Sequence, residues 1–248
     1  MTVMWRKRLR CMAENNQPKK TLGVVLAAGK GNRFTSETPK QFLEFAGKPV
    51  FLHSVLAFEQ SADIDGIAVV VPAGYEAEVA AVLARFEIKK IVAVVCGGAA
   101  RQDSVKAALS VAAQGDFDTI LLHDAARPLL SDEVIRRLCE ALKTHRAATA
   151  ALPVTDTIAV SENGGTIAAV PDRSTLWSVQ TPQGFNLYTL QEAYARLSPA
   201  VLSACTDDCG VIRAFLPDEA VALVEGDRKL LKLTYPRDLA VLTALAEQ

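Results

Sequence analysis

Runs of β-branched and aliphatic residues recur from Thr21 onward, each separated from the next by a helix-patterned stretch. This alternation restricts the fold more than any other feature. The early runs are 22–27, 67–72, 91–95 and 119–122, and they are continuously apolar rather than alternating, as strands covered on both faces must be. Later strand candidates are 148–153, 157–160, 166–170, 176–180 and 221–224. Helical patterning falls at 49–60, 75–85, 101–113, 131–144, 186–196 and 236–246. Strand–helix alternation of this kind predicts an α/β fold, with a mostly parallel sheet and helices on both faces. Right-handed crossovers then gather the strand C-terminal ends along one edge, where ligands bind.

Residues 155–180 break the rhythm. Two short apolar segments flank Ser161-Glu-Asn-Gly-Gly165 and read as a β-hairpin on an Asn-Gly turn. Apolar hairpin residues need cover, from the parent domain or from a second subunit. No repeat or low-complexity linker interrupts the chain, so residues 21–248 are expected to form one domain with an arm at about 155–180. Residues 1–20 carry six basic side chains against Glu14 alone and have no apolar secretory core. They read as a disordered basic extension, with Met12 a candidate for the functional start.

Composition narrows the function. With 27 basic and 28 acidic residues the formal charge is -1, which argues against general nucleic-acid binding. No apolar run is long enough to cross a membrane. Five scattered cysteines suit a reducing cytoplasm, and the three isolated histidines leave no zinc spacing.

The first apolar run opens into Leu26-Ala-Ala-Gly-Lys-Gly-Asn-Arg33, followed by Pro39-Lys-Gln41. Glycines let a backbone approach a ligand closely, and loop N–H groups can then face phosphate oxygens. Arg33 and Lys40 add charge for a polyanion such as a nucleoside triphosphate. The segment is not a dinucleotide fingerprint, because Phe34 occupies the third glycine position. Nor is it a Walker loop, because Gly47-Lys48 is followed by Pro49. Taken alone, it is also what a tight strand-to-helix connection requires.

Each later strand ends in a candidate loop. Gly97-Gly98 precedes Ser104, a pattern open to a base or ribose and equally to a plain turn. His123-Asp-Ala-Ala-Arg-Pro128 puts an acid at a strand end, where Asp124 can serve a hard cation such as Mg²⁺ or pair with Arg127. His123 reads as an orienting or core residue. Lys232 interrupts an apolar run, L-L-K-L, that reads as a strand with one residue facing a ligand.

In order, A-A-G-x-G-x-R-F, P-K-Q, G-G-x-x-R-x-x-S-V, H-D-A-A-R-P, D-T, D-R-x-x-L-W, T-P-Q and T-D-D run from Ala27 to Asp208, within a resemblance that covers roughly residues 22–245. Together they resemble the 2-C-methyl-D-erythritol 4-phosphate cytidylyltransferase family of the non-mevalonate isoprenoid pathway. Ribitol-5-phosphate cytidylyltransferase is a near relative, and Ala126 favours the former. The resemblance implies a Rossmann-like nucleotidyltransferase sheet with a protruding hairpin, transfer of CMP from CTP to methylerythritol phosphate, Mg²⁺, and a homodimer formed through the arm. It implies that Ala27, Ala28, Gly29, Gly98 and Ser104 bind cytosine and ribose. It gives Arg33, Lys40 and Lys232 the triphosphate, with Asp124 beside the metal. Arg127 and Thr206 would line the acceptor side, completed by Thr157 and Arg173 from a second subunit. The chain departs from the pattern at Ala99, where an acid is common, at Cys209-Gly210, and at L-L-K-L. A non-catalytic nucleotide sensor on the same fold is the alternative of another class. Retention of all four of Arg33, Lys40, Asp124 and Lys232 argues against it.

Overall fold

The computed structural model describes residues 19–29 and 39–247. Along the chain the elements are β1 (Thr21–Leu26), the short strands β2 (Glu44–Phe45) and β3 (Lys48–Pro49), α1 (Val50–Gln60), β4 (Gly66–Val71), α2 (Glu76–Arg85), β5 (Ile91–Cys96), α3 (Arg101–Gln114), β6 (Thr119–Asp124), α4 (Asp132–Ala141) and β7 (Ala147–Pro153). There follow β8 (Trp177–Asn186), α5 (Leu187–Arg196), α6 (Pro199–Ala204), α7 (Asp208–Phe215), β9 (Val221–Glu225) and α8 (Asp238–Ala246).

Seven strands form one sheet in the order β5-β4-β1-β6-β8-β7-β9. Only β8 runs against its neighbours, so the sheet is mostly parallel, as the apolar runs predict. The continuous runs divide by residue parity. Val25, Val69 and Leu121 face a core closed by α1, α2 and α4, whereas Val24, Val70 and Leu122 face a second core closed by α3, α5 and α7. In β1, β4 and β6 both faces are dry, which is why these strands lack polar alternation. The run at 91–95 differs from that expectation: β5 is the sheet edge, and Val92 is 49% exposed.

Several elements differ from the sequence expectation. β8 continues to Asn186 instead of stopping near residue 180, and α4 ends at Ala141. The β2–β3 hairpin is unanticipated because its turn is Ala46-Gly47 rather than Asn-Gly. Both residues take positive φ (46° and 75°), the geometry of a two-residue hairpin turn. Helices α6 and α7 are too short to show a helical period in the sequence; Ser198 and Asp207 cap them through side-chain oxygens.

The arm segment turns at Asn163, whose Oδ1 accepts from the Gly165 and Thr166 N–H groups, with Gly164 at φ 73°. The expected strands 157–160 and 166–170 reduce to one antiparallel bridge, Val160 to Ala169. Every residue from 155 to 170 is exposed, leaving too little packing to extend the ladder. At the other end of the chain, the Lys20 backbone is engaged. Its N–H donates to Asp118, and its carbonyl accepts from the Asp118 and Thr119 N–H groups. Residues 1–18 lie outside the described residues.

Candidate active site

Parallel pairing brings three strand ends together. The β1–β6 register sets Leu26 opposite Asp124, so the carboxylate stands beside the start of the Ala27–Gly29 turn. The β4–β5 register sets Val71 opposite Cys96 and delivers the Gly97–Gly98 turn to the same edge. Between these ends lies a cavity of about 460 Å³, lined by residues that include Ala27, Ala28, Gly29, Lys40, Gly98, Arg101, Ser104, Asp124 and Lys232. Arg33 falls outside the described residues.

Gly97 is needed for closeness. A Cβ there would stand 2.5 Å from the Ala28 Cβ and 2.6 Å from the Ser104 Oγ. The two turns therefore pack against each other, and Ser104, buried in the first turns of α3, reaches the cavity between them.

Lys232 sits in a loop, not in the strand the L-L-K-L run predicts. Leu230 and Leu233 are fully buried on either side of it, and the Leu233 N–H donates to the Ala126 carbonyl at 2.7 Å. These anchors leave the Lys232 side chain directed at Asp124, with Nζ 2.5 Å from Oδ2. Lys40 Nζ donates to the Leu233 carbonyl at 2.6 Å, so both lysines converge on one segment.

The electrostatics follow from that convergence. Burial would raise the Asp124 pKa, but Lys232, Arg101 and Arg127 outweigh it and hold the carboxyl at about 2. Asp124 is therefore anionic across the physiological range. Its carboxylate pairs with Lys232 and not with Arg127, whose Nη1 donates to the Leu230 carbonyl at 2.5 Å. Behind it, His123 is fully buried. Nε2 lies 3.0 Å from the Arg127 carbonyl, which can only accept, so Nε2 carries the proton. Nδ1 then accepts from Thr181 Oγ1, and that hydroxyl accepts the Asp124 N–H. Burial pushes the His123 pKa down to about 4, so the ring is a neutral brace.

Among the described lining residues, Arg127, Thr157, Arg173 and Thr206 do not appear. Thr157 and Arg173 lie in the exposed arm segment, where Arg173 Nη1 donates to the Thr155 carbonyl at 2.9 Å. Thr206 is exposed just before α7. Two residues of the site escape the sequence reading. Gln41, buried, donates through Nε2 to the carbonyls of Ala27 (2.5 Å) and Gly29 (3.2 Å) and so fixes the glycine turn. Arg101 lines the cavity and pairs with the buried Asp208 at 2.5 Å. Both stand inside recognisable motifs, P-K-Q and G-G-x-x-R; only their side-chain partners are invisible there.

A carboxylate ringed by cations at the C-terminal edge of a parallel sheet, beside two close-packed small-residue turns, suits a nucleoside triphosphate and a hard divalent cation. The class is that of the α/β nucleotidyltransferases. The family model described as 2-C-methyl-D-erythritol 4-phosphate cytidylyltransferase matches residues 22–248, and the chain belongs to that family. It is 41% identical over 227 residues to the enzyme of that name from Thermobifida fusca, covering 90% of this chain and 91% of that one. The Pelotomaculum thermopropionicum enzyme of the same name is 38% identical, covering 91% and 94%. A crystal structure of the Thermus thermophilus enzyme aligns with TM-score 0.71 at 32% identity, covering 93% of this chain and 100% of that one.

Proposed function

We propose that the protein transfers CMP from CTP to 2-C-methyl-D-erythritol 4-phosphate, giving 4-diphosphocytidyl-2-C-methyl-D-erythritol and pyrophosphate. Family membership names the reaction; the observation that carries it to these residues is the convergence of Lys40, Lys232 and Asp124 on the cavity between the two turns. Ala27, Ala28, Gly29, Gly98 and Ser104 offer small side chains, backbone groups and one hydroxyl to the nucleoside. Arg33, Lys40 and Lys232 hold the triphosphate. Arg127 and Thr206 serve the acceptor side.

An acceptor phosphate oxygen attacks the α-phosphorus of CTP. The new P–O bond forms as the bond to pyrophosphate breaks, and the leaving group carries the electron pair away. The acceptor phosphate is already anionic near neutral pH, so no general base is required. The barrier is dominated by repulsion between anions and by charge on the leaving group, which fixed lysines and arginines offset. Mg²⁺ fits the donor set: Asp124 presents an anionic carboxylate at the cavity wall and would hold it. Mg²⁺ commonly uses one or two carboxylates together with substrate phosphates. When bound, it neutralises triphosphate charge.

We further propose a homodimer in which the arm covers a second copy and brings Thr157 and Arg173 to the neighbouring site. Ile158, Val160, Ile167, Val170, Trp177 and Val179 are all exposed along this one segment, and a matching copy would bury them. A cytoplasmic location accords with the free thiols of Cys96, Cys139, Cys205 and Cys209.

Pyrophosphate release with CTP and Mg²⁺ tests the reading. Methylerythritol phosphate is expected to be the preferred acceptor. Equal or better turnover with ribitol 5-phosphate would move the assignment to the relative.

A further inference from the structure

Asp208 is the first residue of α7, and its side chain has no exposure to solvent. A buried carboxylate is strongly unfavourable unless both oxygens are satisfied. Here they are divided between two donors. Tyr194 on α5 donates its hydroxyl to Oδ1 at 2.6 Å, and Arg101 donates to Oδ2 at 2.5 Å. The Asp208 N–H in turn donates to Gln183 Oε1 on β8 at 3.1 Å. Three elements thus fix this one residue, yet Asp208 does not line the cavity.

Its partner does. Arg101 opens α3, a position where the helix dipole disfavours a cation. The guanidinium stays there because Asp208 holds one end of it. The other end reaches toward the catalytic edge, with Nε 3.9 Å from Asp124 Oδ1, on the side of the carboxylate away from Lys232. Asp124 is therefore flanked by a lysine on one oxygen and an arginine on the other, and the arginine has a buried counter-ion behind it.

We propose that Asp208 is a positioning residue for nucleotidyl transfer, holding Arg101 in the cavity wall against Asp124. Without the Asp208 charge, Arg101 is free to collapse onto Asp124 or swing into solvent. Either movement changes the cation arrangement that the triphosphate and its metal meet. The inference rests on the cytidylyl-transfer reading. Wild-type turnover tests that reading, and the ratios of variants to wild type test this one.

The experiment is a double-mutant cycle of Asp208→Asn and Arg101→Met. Folding is followed by thermal melting, kcat and KM for CTP by pyrophosphate release, and CTP affinity by calorimetry. Asp208→Asn alone should lower kcat/KM for CTP by about 10- to 100-fold, the usual cost of removing a group that orients a site ligand. In the Arg101→Met background the same change should cost less than about twofold, because its target is gone. Asp208→Glu should recover part of the loss. If Asp208→Asn does not fold, Tyr194→Phe takes its place, since it removes only the Oδ1 bond. A smaller loss that vanishes beside Arg101→Met is then expected. Wild-type kinetics in the folded single variant, or an equal loss in both backgrounds, would overturn the proposal and leave Asp208 a purely structural acid.

Discussion

At the scale of residues, charge and its placement carry the account. Lys40→Ala and Lys232→Ala should each cut kcat/KM by about 10²–10³, on the order of 2–4 kcal/mol of transition-state stabilisation; the melting temperature should be nearly kept in Lys40→Ala and lowered in Lys232→Ala, which strips the largely buried Asp124 carboxylate of its lysine partner. Steady-state pyrophosphate release checks this, and near-wild-type kinetics would remove either residue from the phosphate site. His123 makes a prediction about stability. Its folded pKa of about 4 lies below the ordinary 6.5, so between those values the unfolded chain binds the extra proton. Stability should therefore fall as pH drops from about 6.5 to 4, by on the order of 3 kcal/mol from this group. Denaturant midpoints across that range should fall less steeply in His123→Gln than in wild type. His53, whose pKa burial also lowers, acts equally in both and cancels from the comparison. Asp124 contributes in a separate window. Its depressed pKa adds stability above the ordinary carboxylate pKa, lost only as pH falls toward about 2. An unchanged slope in the variant would show that His123 is not the titrating group.

At the scale of elements, legibility follows the strength of local patterning. The central parallel strands β1, β4 and β6 are readable because both faces are buried, which leaves unbroken apolar runs, and the loops at their ends are readable from glycine and charge. What escapes depends on partners distant in sequence. The Lys232 segment looks like a strand, yet it is held by Leu230, Leu233 and a backbone bond to Ala126 rather than by a ladder. Gln41 and Arg101 act through carbonyls and a carboxylate that no spacing reveals. The Ala46-Gly47 turn lacks the Asn that marks such hairpins. Gly97 is the element-scale test of the paired turns. Gly97→Ala places a methyl against Ala28 and Ser104, and overpacking of this kind costs roughly 1–3 kcal/mol. Thermal melting should show the loss, and CTP binding should weaken with it. A variant with wild-type stability and affinity would mean that the turns have room to separate.

At the scale of the whole molecule, the exposed arm sets the question of partnership. Mixing Arg173→Ala chains with Lys40→Ala chains tests whether the arm serves a neighbouring site. Each chain alone should be nearly inactive. In a heterodimer one site takes its lysine from one chain and its arginine from the other, and so is intact. Random exchange of equal amounts gives about half heterodimers and hence roughly a quarter of wild-type activity. Mass spectrometry of differently labelled chains establishes that exchange has occurred. Activity no greater than the sum of the parents after exchange would place Arg173 in its own subunit or in no site.

Phosphorus NMR of the reaction mixture reads directly the bond this cavity is proposed to make, between an acceptor phosphate and the α-phosphorus of CTP. With CTP, Mg²⁺ and methylerythritol phosphate, the acceptor's monoester signal should vanish as a coupled pair of diphosphate-diester signals and free pyrophosphate grow in equal amounts. Neither product should form when the acceptor is omitted. Pyrophosphate appearing with free CMP while the monoester signal persists would contradict the claim, as would a mixture that remains unchanged.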